Sequence, residues 1–235
     1  MRCLVTAGNT REKIDEVRDW GNVFTGNTGL AIAKALAEIA SVDLVTSNAG
    51  HREEIAINQN RWQRIAAHAF TSHADLKSVL AGLMFKNVYD AVFMTAAVAD
   101  YKPTRVYSII AREPDLSKPR QERWIVQDVQ QAKVKSTHER IAVVGEPTEK
   151  LVDLFRTSWA HRGLLVKFKL EVGIGSEELL KIAERSRLAS GADYLVANTL
   201  EMVQGEGAGA YLLGAAGHRW VPRVELPGAM AGLLQ

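Results

Sequence analysis

Strand-like and helix-like stretches alternate along most of this chain, and that alternation limits its fold more than any other feature. Residues 2–6 are a short apolar run ending at Ala7-Gly8, the pattern of a buried strand. Residues 28–40 are rich in helix formers with apolar side chains at helical spacing. Residues 42–46 read as a second strand and 64–70 as a third. Asp75 follows Ser72 by three, a capping-box spacing that predicts a helix starting there and running to Lys86. Residues 90–95 read as a fourth strand.

Residues 101–138 break the rhythm. They hold Pro103, Pro114 and Pro119, many charges and little periodicity, so a long excursion from the sheet is expected, either functional or disordered. Alternation then resumes. Residues 140–144 predict a strand, and 147–156 a helix with Pro147 in its first turn. Residues 164–170 predict a strand, followed by a helix capped by Ser176 with Glu177 and Glu178 in its first turn. Residues 193–197 predict another strand, and the Gly-rich tail from Gly205 to Gly217 an irregular hairpin before a short last helix. The fold class expected is α/β: a Rossmann-like, mostly parallel sheet with helices on both faces, in one domain (1–235) carrying the excursion at 102–138. Such sheets bind ligands beyond the carboxyl ends of their strands, here just after Thr6, Thr95, Leu170 and Ala197.

Composition narrows the function classes. At 235 residues the chain can bury a core without disulfides, and its single cysteine, Cys3, forms no internal one. A net charge of +2 with only short basic clusters argues against nucleic-acid binding. No leader pattern and no apolar stretch of membrane-spanning length is present, so a cytoplasmic protein is expected. His51, His68, His73, His138, His161 and His218 have no metal-ligand spacing, and no P-loop or nucleophile elbow occurs.

Four segments could carry chemistry. Gly8-Asn9-Thr10-Arg11 follows the first strand, and Thr25-Gly26-Asn27-Thr28-Gly29 opens the first helix about eighteen residues after that strand. Glycines and a helix N-terminus suit a phosphate, although a tight turn with a helix cap explains the pattern equally well. This is not the closely spaced dinucleotide fingerprint. Thr95 to Tyr101 places small residues after a strand, with Asp100 able to accept from a ribose or base, or simply to cap a turn. Lys133-Val134-Lys135 offers a mobile cation for phosphate charge, or two solvated lysines. Lys167-Phe168-Lys169 ends an apolar strand. Two lysines there fit either an anion site or the blunted edge of a sheet.

These segments, in this order, resemble the phosphopantothenate–cysteine ligase family, of the monofunctional type. The resemblance is carried by Gly8 to Arg18, Asn22, Thr25 to Gly29, Ala96 to Tyr101, Lys133 to Lys135, Lys167 to Glu171, and Ala192 to Asn198. It implies a ligase of coenzyme A biosynthesis that joins L-cysteine to 4′-phosphopantothenate through an acyl-nucleotide, using CTP or ATP with Mg²⁺ brought by the triphosphate. By the same resemblance, Asn22, Lys133 and Arg18 are the catalytic candidates. Gly8, Asn9, Thr10, Gly26, Ala96, Asp100, Phe168, Lys169 and Asn198 would bind the nucleotide. Asn22, Arg18 and Ala97 would bind the acid substrate. No protein metal ligand is implied. The chain begins directly at its first strand, so an enzyme without flavin is expected. A homodimer is expected too, with 102–138 acting as flap or dimer contact.

Some positions depart from the family pattern. Asn9 stands for the commoner Gly or Pro, Lys167 for Gly, and Glu146 for Asn. Ser186 and Ser190 fall where two lysines usually face the triphosphate, with Arg185 and Arg187 adjacent. Lys169 is expected to supply the missing charge. The competing readings are an NAD(P)-dependent oxidoreductase, which lacks its glycine fingerprint here, and a non-catalytic nucleotide-binding relative.

Overall fold

Apolar side chains on both faces of the first strand decide the architecture. The computed structural model describes residues 1–114, 118, 121–203, 205 and 207–235. In it β1 (Arg2–Ala7) is buried at every position from Cys3 onward. A hairpin of β2 (Arg11–Lys13) and β3 (Asp19–Gly21) follows, then α1 (Asn27–Ala37), β4 (Ser41–Thr46), α2 (Ala49–Ile57), β5 (Ile65–Ala69), α3 (His73–Lys86) and β6 (Ala91–Met94). The chain next builds β7 (Tyr101–Pro114), β8 (Glu122–Asp128) and β9 (Ile141–Pro147). It returns through α4 (Leu151–Thr157), β10 (Leu164–Glu171), α5 (Ser176–Ala189), β11 (Tyr194–Thr199) and a 3₁₀ turn at Leu200–Val203. It ends with β12 (Gly209–Gly214), β13 (Gly217–Pro222) and α6 (Leu226–Gly232).

The main sheet has the order β13-β12-β11-β10-β6-β1-β4-β5. From β11 to β5 all pairings are parallel, and the β12–β13 hairpin adds an antiparallel edge. Successive side chains of a strand point to opposite faces. Cys3, Val5 and Ala7 therefore pack with Ile32, Leu36 and Met230 of α1 and α6, while Leu4 packs with Leu76, Leu80 and Phe155 of α3 and α4. Leu195 and Ala197 of β11 meet Leu179 and Ala183 of α5. Helices thus cover both faces, and the expected α/β fold is borne out. Cys3 is core, and burial pushes its thiol up to about 11. Among the described residues no helix is long and apolar enough to cross a membrane.

Several local expectations change. The excursion does leave the main sheet, forming β7 and β8, but β9, expected to resume the main alternation, pairs with β7 instead to complete a second, three-stranded antiparallel sheet, β8-β7-β9. Every residue of β8 is exposed, and β7 buries only Val106 and Ser108. A strand wet on both sides, as β8 is, needs no apolar alternation, which is why the sequence does not display one there. Pro119, counted with the excursion, lies outside the described residues.

Pro147 ends β9 opposite Tyr101 instead of opening a helix. Thr148 holds the chain extended by donating from its N to Asp100 O (2.9 Å) and from Oγ1 to Ala99 O (2.5 Å), so α4 starts only at Leu151. Gly175, not Ser176, is the N-cap of α5, while Glu177 and Glu178 stand in its first turn as expected. The capping of α3 is as read: Ser72 Oγ accepts from Asp75 N, and Asp75 Oδ2 accepts from Thr71 N. Helix α2 gave no sequence signal because it buries only His51 and Ile55. The glycine-rich tail forms a regular hairpin whose six-residue strands pair throughout.

Candidate functional site

The carboxyl ends of β1, β6, β10 and β11 open into one cleft of about 840 Å³. Its floor is a close approach of two backbones. Gly26 is the N-cap of α1 with φ +81°, and a Cβ there would lie 2.0 Å from Gly8 N. Gly8 itself has φ +85° against Ser47, so neither position accepts a side chain without movement. Behind them Gly29 packs on Thr95 and Ala7. The N–H groups of the first turn of α1 thus reach the cleft, and that turn holds no acidic residue to compete for them.

The ends of β1 and β6 are laced together. Ala97 N donates to Gly8 O (2.9 Å), Thr10 N to Ala97 O (3.1 Å), and Ala99 N to Thr10 Oγ1 (2.7 Å). Asn22 Nδ2 reaches Ala97 O at 3.4 Å, which hangs the stretch after β3 over the small residues Ala96 and Ala97. Asp100 lies at the rim in an ion pair with Lys150.

The opposite wall is β10, which lies between β11 and β6, so the edge-strand explanation of its lysines falls away. Phe168 lines the cleft from the face of the strand opposite these lysines, packed against the cluster that holds Cys3 and Val5. Lys167 Nζ donates to Ser186 O (3.1 Å) and Ser186 Oγ (3.0 Å). Burial pushes this amine below the usual lysine range. Asp153 opposes the shift, and the nearby Lys169 and Lys150 add to it. Lys169 is paired with Glu171 at 2.9 Å. The amine resting on Ser186 is that of Lys167, and Lys169, expected from the sequence to supply charge to the triphosphate, lines the cleft beside it. Arg187 is committed to Glu184 and to the carbonyls of Ala192 and Asp193, within the core.

Of the residues predicted for the site, Gly8, Asn22, Gly26, Ala96, Ala97, Asp100, Phe168, Lys169 and Asn198 line this cleft. Asn9, Thr10, Arg18 and Lys133 do not. Thr10 is fully buried in the lacing just described. Asn9 donates from Nδ2 to Phe24 O (2.7 Å), and its Oδ1 is buried without a partner. Arg18 binds Asp15 and Val134, next to Lys133. Sequence reasoning missed Lys150, Arg223, and Leu200 and Met202 of the 3₁₀ turn, all of which line the cleft. The first sits on the loop misread as helix. Leu200 and Met202 follow the strand end at Ala197 where a ligand was expected, but no motif singled them out, and Arg223 comes from a tail whose pattern gave no reason to place it there.

Residues 1–113 match the family described as DNA/pantothenate metabolism flavoprotein C-terminal domain. The chain is 30% identical over 226 residues, 95% of its length, to the coenzyme A biosynthesis bifunctional protein CoaBC of Thermococcus kodakarensis. It spans about half the length of that relative, 47%. The DNA/pantothenate metabolism flavoprotein of Streptococcus pneumoniae has a similar structure, with a TM-score of 0.77 and 24% identity over 100% of this chain and 98% of that one. A Cab2 variant solved with phosphopantothenate-cysteine has a TM-score of 0.68 at 14% identity, covering 99% of this chain and 88% of that one. The family match and the CoaBC relative agree with the resemblance read from the motifs, and the two solved structures agree with the fold.

Proposed function

We propose that this chain is a ligase that activates the carboxylate of 4′-phosphopantothenate with a nucleoside triphosphate and joins it to L-cysteine. The observation that carries this reading is the cleft itself. One cavity gathers a glycine-floored helix N-terminus, a cationic wall and small residues between them, and a relative named for coenzyme A biosynthesis is 30% identical over 226 residues of the chain that builds it.

The chemistry asks for this combination. The substrate carboxylate attacks the α-phosphorus, an acyl-nucleotide forms and pyrophosphate leaves. The cysteine amine then attacks the acyl carbon and the nucleoside monophosphate departs. Charge concentrates on phosphate oxygens in the first step, where preorganised donors and cations lower the barrier. The N–H groups at the start of α1 and the amines of Lys167, Lys169 and Lys150 are such groups. Phe168 offers a flat apolar face to the base, and Asp100 an acceptor for the ribose or base. Asn22, tied to Ala97 O, is placed to hold the acyl group with Ala97. Asn198 borders the nucleotide. Mg²⁺ would enter on the triphosphate. We take residues 1–235 as one ligase domain, with the β7–β8 arm as the surface that meets a second copy.

Pyrophosphate release tests the reading. Purified protein with Mg²⁺, 4′-phosphopantothenate and cysteine is compared with CTP and with ATP. Release that requires the acid, with product only when cysteine is present, is expected, and the better nucleotide is identified in the same assay. No release with either nucleotide overturns it. Asn22→Asp separates a ligase from a binding protein, since product is lost while nucleotide binding stays.

A further inference from the structure

Among the described residues, Asp15 is the most heavily hydrogen-bonded carboxylate outside the cleft, and its two oxygens do different work. Oδ1 closes a local turn, accepting from Val17 N (3.0 Å) and Arg18 N (2.9 Å). Oδ2 binds the Arg18 guanidinium and one distant backbone group. It accepts from Arg18 Nε (3.0 Å), from Arg18 Nη2 and from Val134 N (3.1 Å), across 119 residues of chain. Arg18 Nη2 also donates to Val134 O (2.8 Å), so both backbone groups of Val134 are held. Glu16 N adds a bond to Ala132 O (2.9 Å) and Gln130 Nε2 one to Ile14 O (3.3 Å). The side chain of Asp15 is fully buried, and hydrogen bonds from Arg18 first, against the cost of burial, hold its carboxyl far below the usual range.

The neighbours of Lys133 on both sides are thus fastened, while Lys133 itself is exposed. Arg18 has spent its Nε and Nη2 groups on the fastening. Four residues later the chain reaches Asn22, at the far end of β3.

We propose that Asp15 and Arg18 form a clasp that fixes the backbone carrying Lys133, and that Arg18 serves the reaction through this clasp as a positioning residue. The catalytic half of the proposal rests on the ligase reading and on the charge-neutralising role that the family resemblance implies for Lys133, which does not line the cleft, and the clasp itself rests on neither.

Asp15→Asn tests it selectively. An amide can keep its oxygen on the Val17–Arg18 turn, but its NH₂ then faces the guanidinium and Val134 N–H, donor against donor. Trypsin cleavage after Lys133 and Lys135, located by mass spectrometry, reads the clasp. Losing a charge-assisted hydrogen bond raises the local opening that admits the protease roughly tenfold or more. In the pyrophosphate assay, kcat falls by about 10- to 100-fold while KM for the nucleotide stays within about twofold, because a displaced cation costs rate and not nucleotide affinity. Arg18→Ala has the same effects, and Arg18→Lys, which keeps a cation for Oδ2, recovers part of each.

Should Asp15→Asn unfold the protein, trypsin also cuts at Lys34 and Lys77 in the main domain, and Arg18→Ala, which leaves Val134 N on Asp15, decides instead. Unchanged nicking in both variants removes the clasp. Faster nicking with unchanged kcat removes the positioning role. If the parent protein releases no pyrophosphate, the ligase reading fails, and the nicking comparison still decides the clasp.

Discussion

Gly26→Ala puts the floor of the cleft to the test. The added methyl would stand 2.0 Å from Gly8 N, 2.6 Å from Gly8 Cα and 2.9 Å from Ala7 C, and all three are backbone atoms that cannot swing away. Ordinary contact begins near 3.4 Å, so the helix start and the end of β1 must part by more than an ångström. Two costs combine. Holding an L-residue in the left-handed region costs roughly 1–2 kcal/mol, partly offset by the stiffer unfolded chain. Forcing a methyl into a packed contact adds about 1–3 kcal/mol. The expected loss is about 3 kcal/mol, a drop in Tm of roughly 6–12 °C for a chain of this size.

Gly173→Ala separates the two costs. Gly173 has φ +71° but nothing within 4 Å of its Cβ position, so it bears the conformational cost alone, about 1 kcal/mol or roughly 2–4 °C. Urea unfolding of the two variants measures the difference. Since parting Gly8 from Gly26 also moves the N–H groups at the start of α1, pyrophosphate release falls roughly 100-fold in Gly26→Ala and stays near parental in Gly173→Ala. Equal stabilities for the two variants, or an unaffected rate in Gly26→Ala, would refute the close-approach argument.

The remaining predictions concern charge. Lys167→Met raises KM for the triphosphate by roughly tenfold or more, the loss of one charge-assisted contact to phosphate, whereas Lys169→Ala has a smaller effect because Glu171 already engages that amine. If Lys169→Ala is the more damaging in steady-state kinetics, the assignment of Lys167 to the anion is wrong. At the opposite end of the sheet, burial disfavours the ionised form of Asp43. Hydrogen bonds from His68 (2.7 Å), Tyr89 (2.8 Å) and Arg2 (2.9 Å) outweigh it, so its carboxyl titrates below the usual range. A depressed folded-state pKa gives stability that is present above the unfolded value, about 3.9, and is lost as pH falls through the folded one. Unfolding midpoints measured from pH 7 down to pH 3 should therefore fall more steeply in the parent than in Asp43→Asn, and parallel curves would count against this.

How much the sequence disclosed depended on whether a segment had to bury something. β1, β4, β6 and β10 are packed on both faces, and their apolar runs announced them within a residue or two. α2 and the β7–β8 arm bury almost nothing on one or both sides, so no hydrophobic period was imposed on them and none could be read. The site divides along the same line. Glycines at positions 8 and 26 are required by a backbone approach, and their types and spacing admitted a phosphate site or a tight turn with a helix cap equally well. Lys167 and Arg18 are different, because a lysine in a strand and an arginine in a loop look alike whether they face a phosphate, a carbonyl or an aspartate. What separates Lys167 from Lys169 is one turn of α5 that brings Ser186 to the first and leaves Glu171 for the second. What separates Arg18 from a ligand-binding arginine is Asp15, three residues away in sequence, together with Val134, which the fold returns to it from the far side of the arm. The identity of a cation's partner is a property of tertiary structure, so residue types narrow the candidates and only the packed chain assigns them.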